Sequence, residues 1–274
     1  LTANTTGTGN TAIGKSSGEA ITTGDFNTTL GIAGAAITTG DRNTAVGYNA
    51  LVTATTAANN VAVGSGALQV NTSGTYNTAV GTFALDANTD AGYNTAVGYN
   101  ALTGNTTGAA NTAVGTTALG SATTADNNTA VGSLALLLNT TGAANTAVGQ
   151  NSLYNNSTAS NNTAVGKSAL EANTTGASNT AVGAYALDAN TTTSSNTAIG
   201  YNALGLCTAG NNTAVGASCL DANTTGEENT ALGDGALGAN TTADRNVALG
   251  ARALLVSTTA SDNTAVGYDA LAAN

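Results

Sequence analysis

The sequence predicts an all-β fold, a parallel β-solenoid of sixteen coils of about 17 residues, and three observations predict it. A five-residue block, most often Asn-Thr-Ala-Val-Gly, begins at Asn10, Asn27, Asn43, Asn60, Asn77, Asn94, Asn111, Asn128, Asn145, Asn162, Asn179, Asn196, Asn212, Asn229, Asn246 and Asn263. The step is 17 residues, except for two steps of 16 that end at Asn43 and Asn212. A fixed short period is the mark of a stacked repeat, and 17 residues are too few for a helical hairpin. The chain is also 41% hydrophobic and only 7% charged, the reverse of the low hydrophobicity and high charge that keep chains unfolded. Finally, Thr and Val crowd the repeat and Asn and Gly punctuate it, which favours strands and turns over helices.

With Asn as position 1, the unit reads N-T-A-V-G-x-x-A-L-x-x-N-T-T-G-x-x. Positions 2 to 4 form a short strand, and the Gly at position 5, as in Gly98 and Gly115, ends it at a corner where positive φ or a close approach forbids a Cβ. Positions 8 and 9, as in Ala101-Leu102, read as a second short strand, and Asn-Thr-Thr-Gly, as in Asn105 to Gly108, as the closing turn. Stacked coils pair in parallel at about 4.8 Å, which makes a rod of roughly 75 Å. Identical residues then form ladders, represented by Asn94 and Asn111, Val97 and Val114, Gly98 and Gly115, and Leu102 and Leu119. Alternation in a strand sends Val97 to one face and Ala96 to the other, and Ala101 and Leu102 likewise to opposite faces. Both faces are apolar, so one fills the coil and the other needs a partner; which set turns inward is open at this stage. The chain reads as a single array over residues 1–274, with two atypical units in 1–42 and regular units over 43–274. Units 1 and 2 lack Leu at position 9 and share Ala-Ile-Thr-Thr-Gly-Asp at Ala20 to Asp25 and Ala36 to Asp41.

Composition excludes several functions. The formal charge is -10, and five basic residues form no patch that could neutralise phosphates, so no nucleic acid is expected. No run of about 20 apolar residues marks a membrane span. The chain carries neither an initiator Met nor a signal-peptide pattern, so its address is expected in a part of the protein outside it. Without His, Ser-His and Cys-His pairs and His-containing metal sites are impossible. No catalytic residue, cofactor or metal is expected.

The segment Asn94 to Leu102, N-T-A-V-G-Y-N-A-L, resembles the S-V-A-I-G-x-x-A repeat of YadA-like heads in trimeric autotransporter adhesins, and Asn43 to Leu51 nearly repeats it. It is also similar to the N-T-A-[VI]-G-Y-x-A-L arrays of tail-fibre-like proteins. The resemblance covers essentially the whole chain and implies a left-handed β-roll assembled as a homotrimer, extracellular, at a cell surface or on a virion. The period of 17 is longer than is usual for adhesin heads.

Candidate sites are few. Glu171 and Asp188 share position 10 in adjacent coils, Asp86 and Asp221 each hold it singly elsewhere, and all read as solvated turn acids rather than a Ca²⁺ site or an acid–base pair. Cys207 stands at position 12 and Cys219 at position 8, which predicts two free thiols, one of them buried. Tyr48, Tyr99, Tyr201 and Tyr268 at position 6 are the candidate surface contacts for a receptor or glycan, with Phe26, Tyr76 and Tyr93 at position 17. Asn-x-Thr triplets at Asn105, Asn139, Asn173, Asn190, Asn223 and Asn240 read as a repeated turn where a glycan would sit if one were added. The expected function is a non-enzymatic structural fibre shaft or adhesin segment, self-associating and able to join end to end. The alternative is a monomeric ligand-binding solenoid such as an ice-binding protein, suggested by Thr arrays that include Thr106-Thr107 and Thr174-Thr175. A polysaccharide-degrading enzyme ranks third.

Overall fold

The computed structural model describes residues 1–273; Asn274, where the sequence array stops inside a unit, lies outside them. The chain divides into two compact units, Leu1–Thr141 and a second that begins at Gly142. The first holds β1 (Thr11–Ile13), β2 (Thr28–Leu30), β3 (Thr44–Val46), β4 (Val61–Val63), β5 (Thr78–Val80), β6 (Thr95–Val97), β7 (Thr112–Val114) and β8 (Thr129–Val131). The second holds β9 (Thr146–Val148), β10 (Thr163–Val165), β11 (Thr180–Val182), β12 (Thr197–Ile199), β13 (Thr213–Val215), β14 (Thr230–Leu232), β15 (Val247–Leu249) and β16 (Thr264–Val266). Within each unit every strand pairs in parallel with the next in sequence, in the register that stacks position 2 on position 2 and position 4 on position 4, as Thr95↔Thr112 and Val97↔Val114. Each unit is therefore a β-solenoid with one coil per repeat.

Each coil contributes one three-residue strand, so the second strand expected at positions 8 and 9 is replaced by turns. The cause is backbone handedness. Positions 7, 9 and 17 lie in the left-handed region, as Asn100 at φ 54°, Leu102 at φ 54° and Ala110 at φ 57°. Gly98 and Gly115, with φ 137° and 134°, turn the corner as their sequence position implied, and a Cβ on Gly98 would sit 2.6 Å from the Gly115 carbonyl oxygen.

The left-handed Leu also overturns the expected split between Ala101 and Leu102. An inserted φ reversal cancels the alternation of an extended strand, and both side chains point into the coil, each 0% exposed. A left-handed non-glycine residue costs about 1–2 kcal/mol, whereas burying a Leu side chain stabilises by about 1.5–3 kcal/mol, so burial outweighs the strain. The strand resolves the other ambiguity. Ala96 is buried while Thr95 and Val97 stay half-exposed, and the same pattern recurs along both units. Ala at positions 3 and 8 and Leu at position 9 thus form the core, and the Val ladder lies outside.

The two atypical units show the same interior filled from the other side. Gly18 and Gly34 occupy position 9, and Ile21 and Ile37 at position 12 reach into the vacated space; a Cβ on either Gly would lie within 2.9 Å of an Ile Cδ1. Hydrogen-bond register locates the residues missing from the 16-residue coils. Asn49 donates to Ile32 O and Gly34 donates to Ala50 O, so the coil of β2 skips position 7. Thr208 donates to Thr224 O while Ala209 O accepts from Asn196, so the coil of β12 skips position 14.

Candidate functional site

The interior of each coil is not purely apolar. Asn94 and Asn111, the representative position-1 ladder, are both fully buried. The backbone N–H of Asn111 donates to Asn94 Oδ1 at 2.9 Å, and Asn111 Nδ2 crosses the coil to the Ala125 carbonyl at 2.7 Å. The same pair of bonds recurs at Asn60, Asn77 and Asn94 in the first unit and at Asn179, Asn212 and Asn229 in the second. One side chain thereby ties its own coil closed and binds it to the next.

Position 12, read from the sequence as part of the closing turn, is a second buried amide ladder. Asn88 Nδ2 donates to Asn71 Oδ1 at 2.8 Å and to the Ala91 carbonyl at 3.0 Å, and Asn105 continues the row. This ladder is broken where another residue replaces Asn. Ala122 follows Asn105 and leaves Asn105 Oδ1 buried without a partner; Ser257 follows Asn240 and leaves Asn240 Oδ1 and its own Oγ unpaired. At the third break Cys207 follows Asn190, and here the orphan is satisfied: the Thr193 hydroxyl, at position 15 where Gly or Ala otherwise stands, donates to Asn190 Oδ1. Where Gly stands at that position, a Cβ would meet the carbonyl of the next coil, as Gly176 against Thr193 O. Thr193 faces the coil that has lost position 14, and the Ala209 carbonyl, 3.0 Å from its hydroxyl, is the alternative acceptor for the same proton. Cys207, the missing residue and Thr193 form one compensated set.

Both cysteines are free and fully buried, which corrects the expectation of a single buried thiol: position 12 faces inward, so Cys207 is as enclosed as Cys219. Cys207 Sγ accepts from Asn223 Nδ2 at 3.5 Å and donates to Ala209 O at 3.3 Å. Burial raises both thiols, Cys219 up to about 12.

On the outside, Thr at position 2 and Val, Ile or Leu at position 4 form a continuous face along the sheet of each unit. Val61 and Val247 are the departures at position 2 and keep its β-branched shape. None of the chain's 20 charged residues occupies either position; all fall at positions 6, 7, 10, 14, 16 or 17. Several of these apolar side chains are substantially exposed, Ile13 at 59% and Val266 at 66% among them.

The tyrosines singled out at position 6 are exposed, Tyr48 at 61%, Tyr99 at 54%, Tyr201 at 60% and Tyr268 at 71%, but they stand on separate coils and make no common site. Tyr201 packs edge-on against Tyr185, 6.0 Å between centroids. At position 17, Tyr76 and Tyr93 stack at 5.2 Å. The acids at position 16 are not simply solvated. Asp25 accepts from Thr8 N–H at 2.7 Å, Asp126 from Ala109 N–H at 2.7 Å and Asp244 from Glu227 N–H at 2.8 Å, each capping the preceding coil. Ser160 and Ser194 do the same with hydroxyls. Sequence reasoning missed this role, for which the recurrence of Asp and Ser at position 16 was the available signal. At position 10 burial raises the Asp188 carboxyl, with a smaller push from Glu171, and Asp221 is raised by burial as well. Among the described residues there is no cavity, no group of three His, Cys, Asp or Glu side chains placed for a metal ion, and no helix long and apolar enough to cross a membrane. The chain matches no protein-family model and no curated protein.

Three outcomes follow from the ladders. Ala122→Asn supplies the donor that Asn105 Oδ1 lacks and raises unfolding free energy by about 1–3 kcal/mol in urea titration, whereas Asn111→Ala strands two buried groups and lowers it by roughly 2–6 kcal/mol. Thr193→Gly destabilises the parent chain by about 1–3 kcal/mol but is close to neutral in a Cys207→Asn background, a coupling read from a double-mutant cycle. The folded chain holds Cys219 neutral while the unfolded chain ionises it near pH 9.0, so its contribution is complete below pH 9 and is lost towards pH 12. The urea midpoint therefore falls more steeply between pH 8 and 11 in the parent than in Cys219→Ala, which restores the commonest residue at that position; parallel pH curves would contradict this.

Proposed function

We propose that this chain is a self-associating structural fibre or adhesin segment, non-enzymatic, in which three copies pack through the Thr/Val face of their sheets. The observation that carries the reading is the placement of charge: 20 charged residues spread over the turns and none at positions 2 and 4. A face that served only to meet water gains nothing from excluding charge in sixteen coils, whereas a face pressed against a copy of itself must exclude it, because an unpaired buried charge is strongly destabilising. The lateral contact needs no specific anchor. Coil-by-coil repetition multiplies small Val and Thr-methyl contacts, and buried apolar surface contributes roughly 25 cal/mol per Å².

Left-handed coiling and homotrimeric packing belong to this proposal, supported by the similarity of N-T-A-V-G-Y-N-A-L to YadA-like head repeats and tail-fibre arrays. So does display outside the cell or on a virion. Its mechanism is geometric: ladders give stiffness, and the Tyr residues at position 6 and variable residues at positions 7, 10 and 17 give surface identity for a receptor or glycan.

A second reading rests on one feature of the same face. The position-2 threonine hydroxyls make no hydrogen bond within the described chain, which leaves regularly spaced hydroxyl and methyl groups able to order water, as an ice-binding monomer requires.

Light scattering coupled to size exclusion separates the two. The expected mass is three times the 26.1 kDa of the chain, and Val97→Lys with Val114→Lys reduces it to one while the β-sheet circular dichroism is retained. A stable monomer of the parent chain would overturn the fibre reading and direct the next measurement to thermal hysteresis.

A further inference from the structure

The chain contains fourteen Asn-x-Ser/Thr tripeptides, and the fold divides them sharply. Nine have their Asn fully buried: Asn27 at position 1, and Asn71, Asn105, Asn139, Asn156, Asn173, Asn190, Asn223 and Asn240 at position 12. In these residues Nδ2, the atom that would carry a sugar, is committed. Asn105 Nδ2 donates to Asn88 Oδ1 at 3.1 Å and to Gly108 O at 2.9 Å, and Asn173 Nδ2 to Asn156 Oδ1 at 2.9 Å and to Gly176 O at 3.0 Å. The coil interior holds no space beside them, since even a Cβ on Gly108 would meet the Ala125 carbonyl. Asn4, Asn127, Asn161 and Asn211 are exposed, the last three at position 17, and Asn155 is half-exposed.

We infer that folding of this chain and Asn-linked glycosylation of its position-12 ladder are mutually exclusive, so that the chain matures where no oligosaccharyl transferase reaches it before it folds. The transfer uses a lipid-pyrophosphate-linked oligosaccharide: a bond forms between Nδ2 and the anomeric carbon, the anomeric C–O bond to pyrophosphate breaks with its electron pair leaving on that oxygen, and the amide nitrogen gives up a proton. The product amide has one N–H where the ladder uses two donor bonds, and it carries a bulky hydrophilic group that belongs on a surface. One such event removes one of the two buried donor bonds and, because the sugar has no room beside it, forces the coil open; the ladder offers eight places for it. The exposed asparagines at position 17 tolerate the same modification, because their side chains point into solvent. This constraint concerns biogenesis and stands whether or not the chain forms trimers.

The position-14 side chain completes each ladder tripeptide and is exposed, as at Thr107, Thr175 and Thr225, so the motif can be removed without touching the ladder. The test variant carries Ser73→Ala, Thr107→Ala, Thr141→Ala, Thr158→Ala, Thr175→Ala, Thr192→Ala, Thr225→Ala and Thr242→Ala, with Thr29→Ala for Asn27. Made in bacterial cytosol, parent and variant have the same circular dichroism and protease resistance. Directed into the secretory pathway of a eukaryotic cell, the parent is glycosylated along the ladder, loses protease resistance and is not secreted, and blocking lipid-linked oligosaccharide synthesis restores it. The variant is secreted folded, with endoglycosidase-sensitive sugars at Asn127, Asn161 and Asn211. The inference is overturned if peptide mass spectrometry finds sugar on Asn105 or Asn173 in a parent chain that retains its fold, if the parent is secreted folded with those residues unmodified, or if the variant fails as the parent does.

Discussion

The constraint on which the rest depends is that a coil of this perimeter encloses one layer of side chains and at least one backbone carbonyl that no backbone donor reaches. The carbonyl at position 15 lies inside, and the Nδ2 of position 1 in the same coil satisfies it along both units, joined by the Nδ2 of position 12 where that residue is Asn; the coil of β15 departs from this, with Asn246 Nδ2 unpartnered and Ala260 O accepting from Asn263 Nδ2 of the next coil. A buried polar group left without a partner costs about 1–3 kcal/mol, more than most single apolar contacts return. The amides are therefore not decorations of an apolar core but the condition for having one. Position 1 remains Asn in all sixteen repeats, while position 12, whose carbonyl already has one donor, is replaced by Ala, Ser, Cys or Ile.

Closing so short a loop also sets the strain. Four residues per regular coil, at positions 5, 7, 9 and 17, have positive φ, and only the first is always Gly. The left-handed Leu residues are held by what they gain: burial of the side chain and a backbone hydrogen bond to the next coil, as Leu102 N–H to Ala118 O at 3.0 Å. Strain that recurs in every coil is sustained only because the neighbouring coils over-determine the conformation. Stability is thus a property of stacking, each coil completing the one before it.

This explains what the sequence displayed and what it concealed. The period, the strand at positions 2 to 4, the corner at Gly98 and the Asn94–Asn111 ladder were legible, because Gly, β-branched residues and strict repetition report local shape directly. The inward turn of both Ala101 and Leu102 was not, since nothing in the residue Leu announces a left-handed backbone. For the same reason Asn105 read as part of a repeated turn when its side chain is core. The position missing from each 16-residue coil needed the hydrogen-bond register, because Asn27 to Arg42 aligns to its neighbours equally well with the gap in several places. The cap formed by Asp126 depends on the coil before it, a relation that a reading of one unit does not contain.

Because coil meets coil through the same set of contacts, the number of coils is a free parameter. Loss or duplication of seventeen codons at any regular junction leaves each remaining interface as it was, so unequal recombination can lengthen or shorten such a gene without a folding penalty. The neighbourhood of Cys207 is the exception. There the hydroxyl of Thr193, the thiol and the absent residue answer one another across two coils, and a crossover between them would separate a defect from its remedy. Only a crossover that keeps that stretch whole leaves its hydrogen bonds intact.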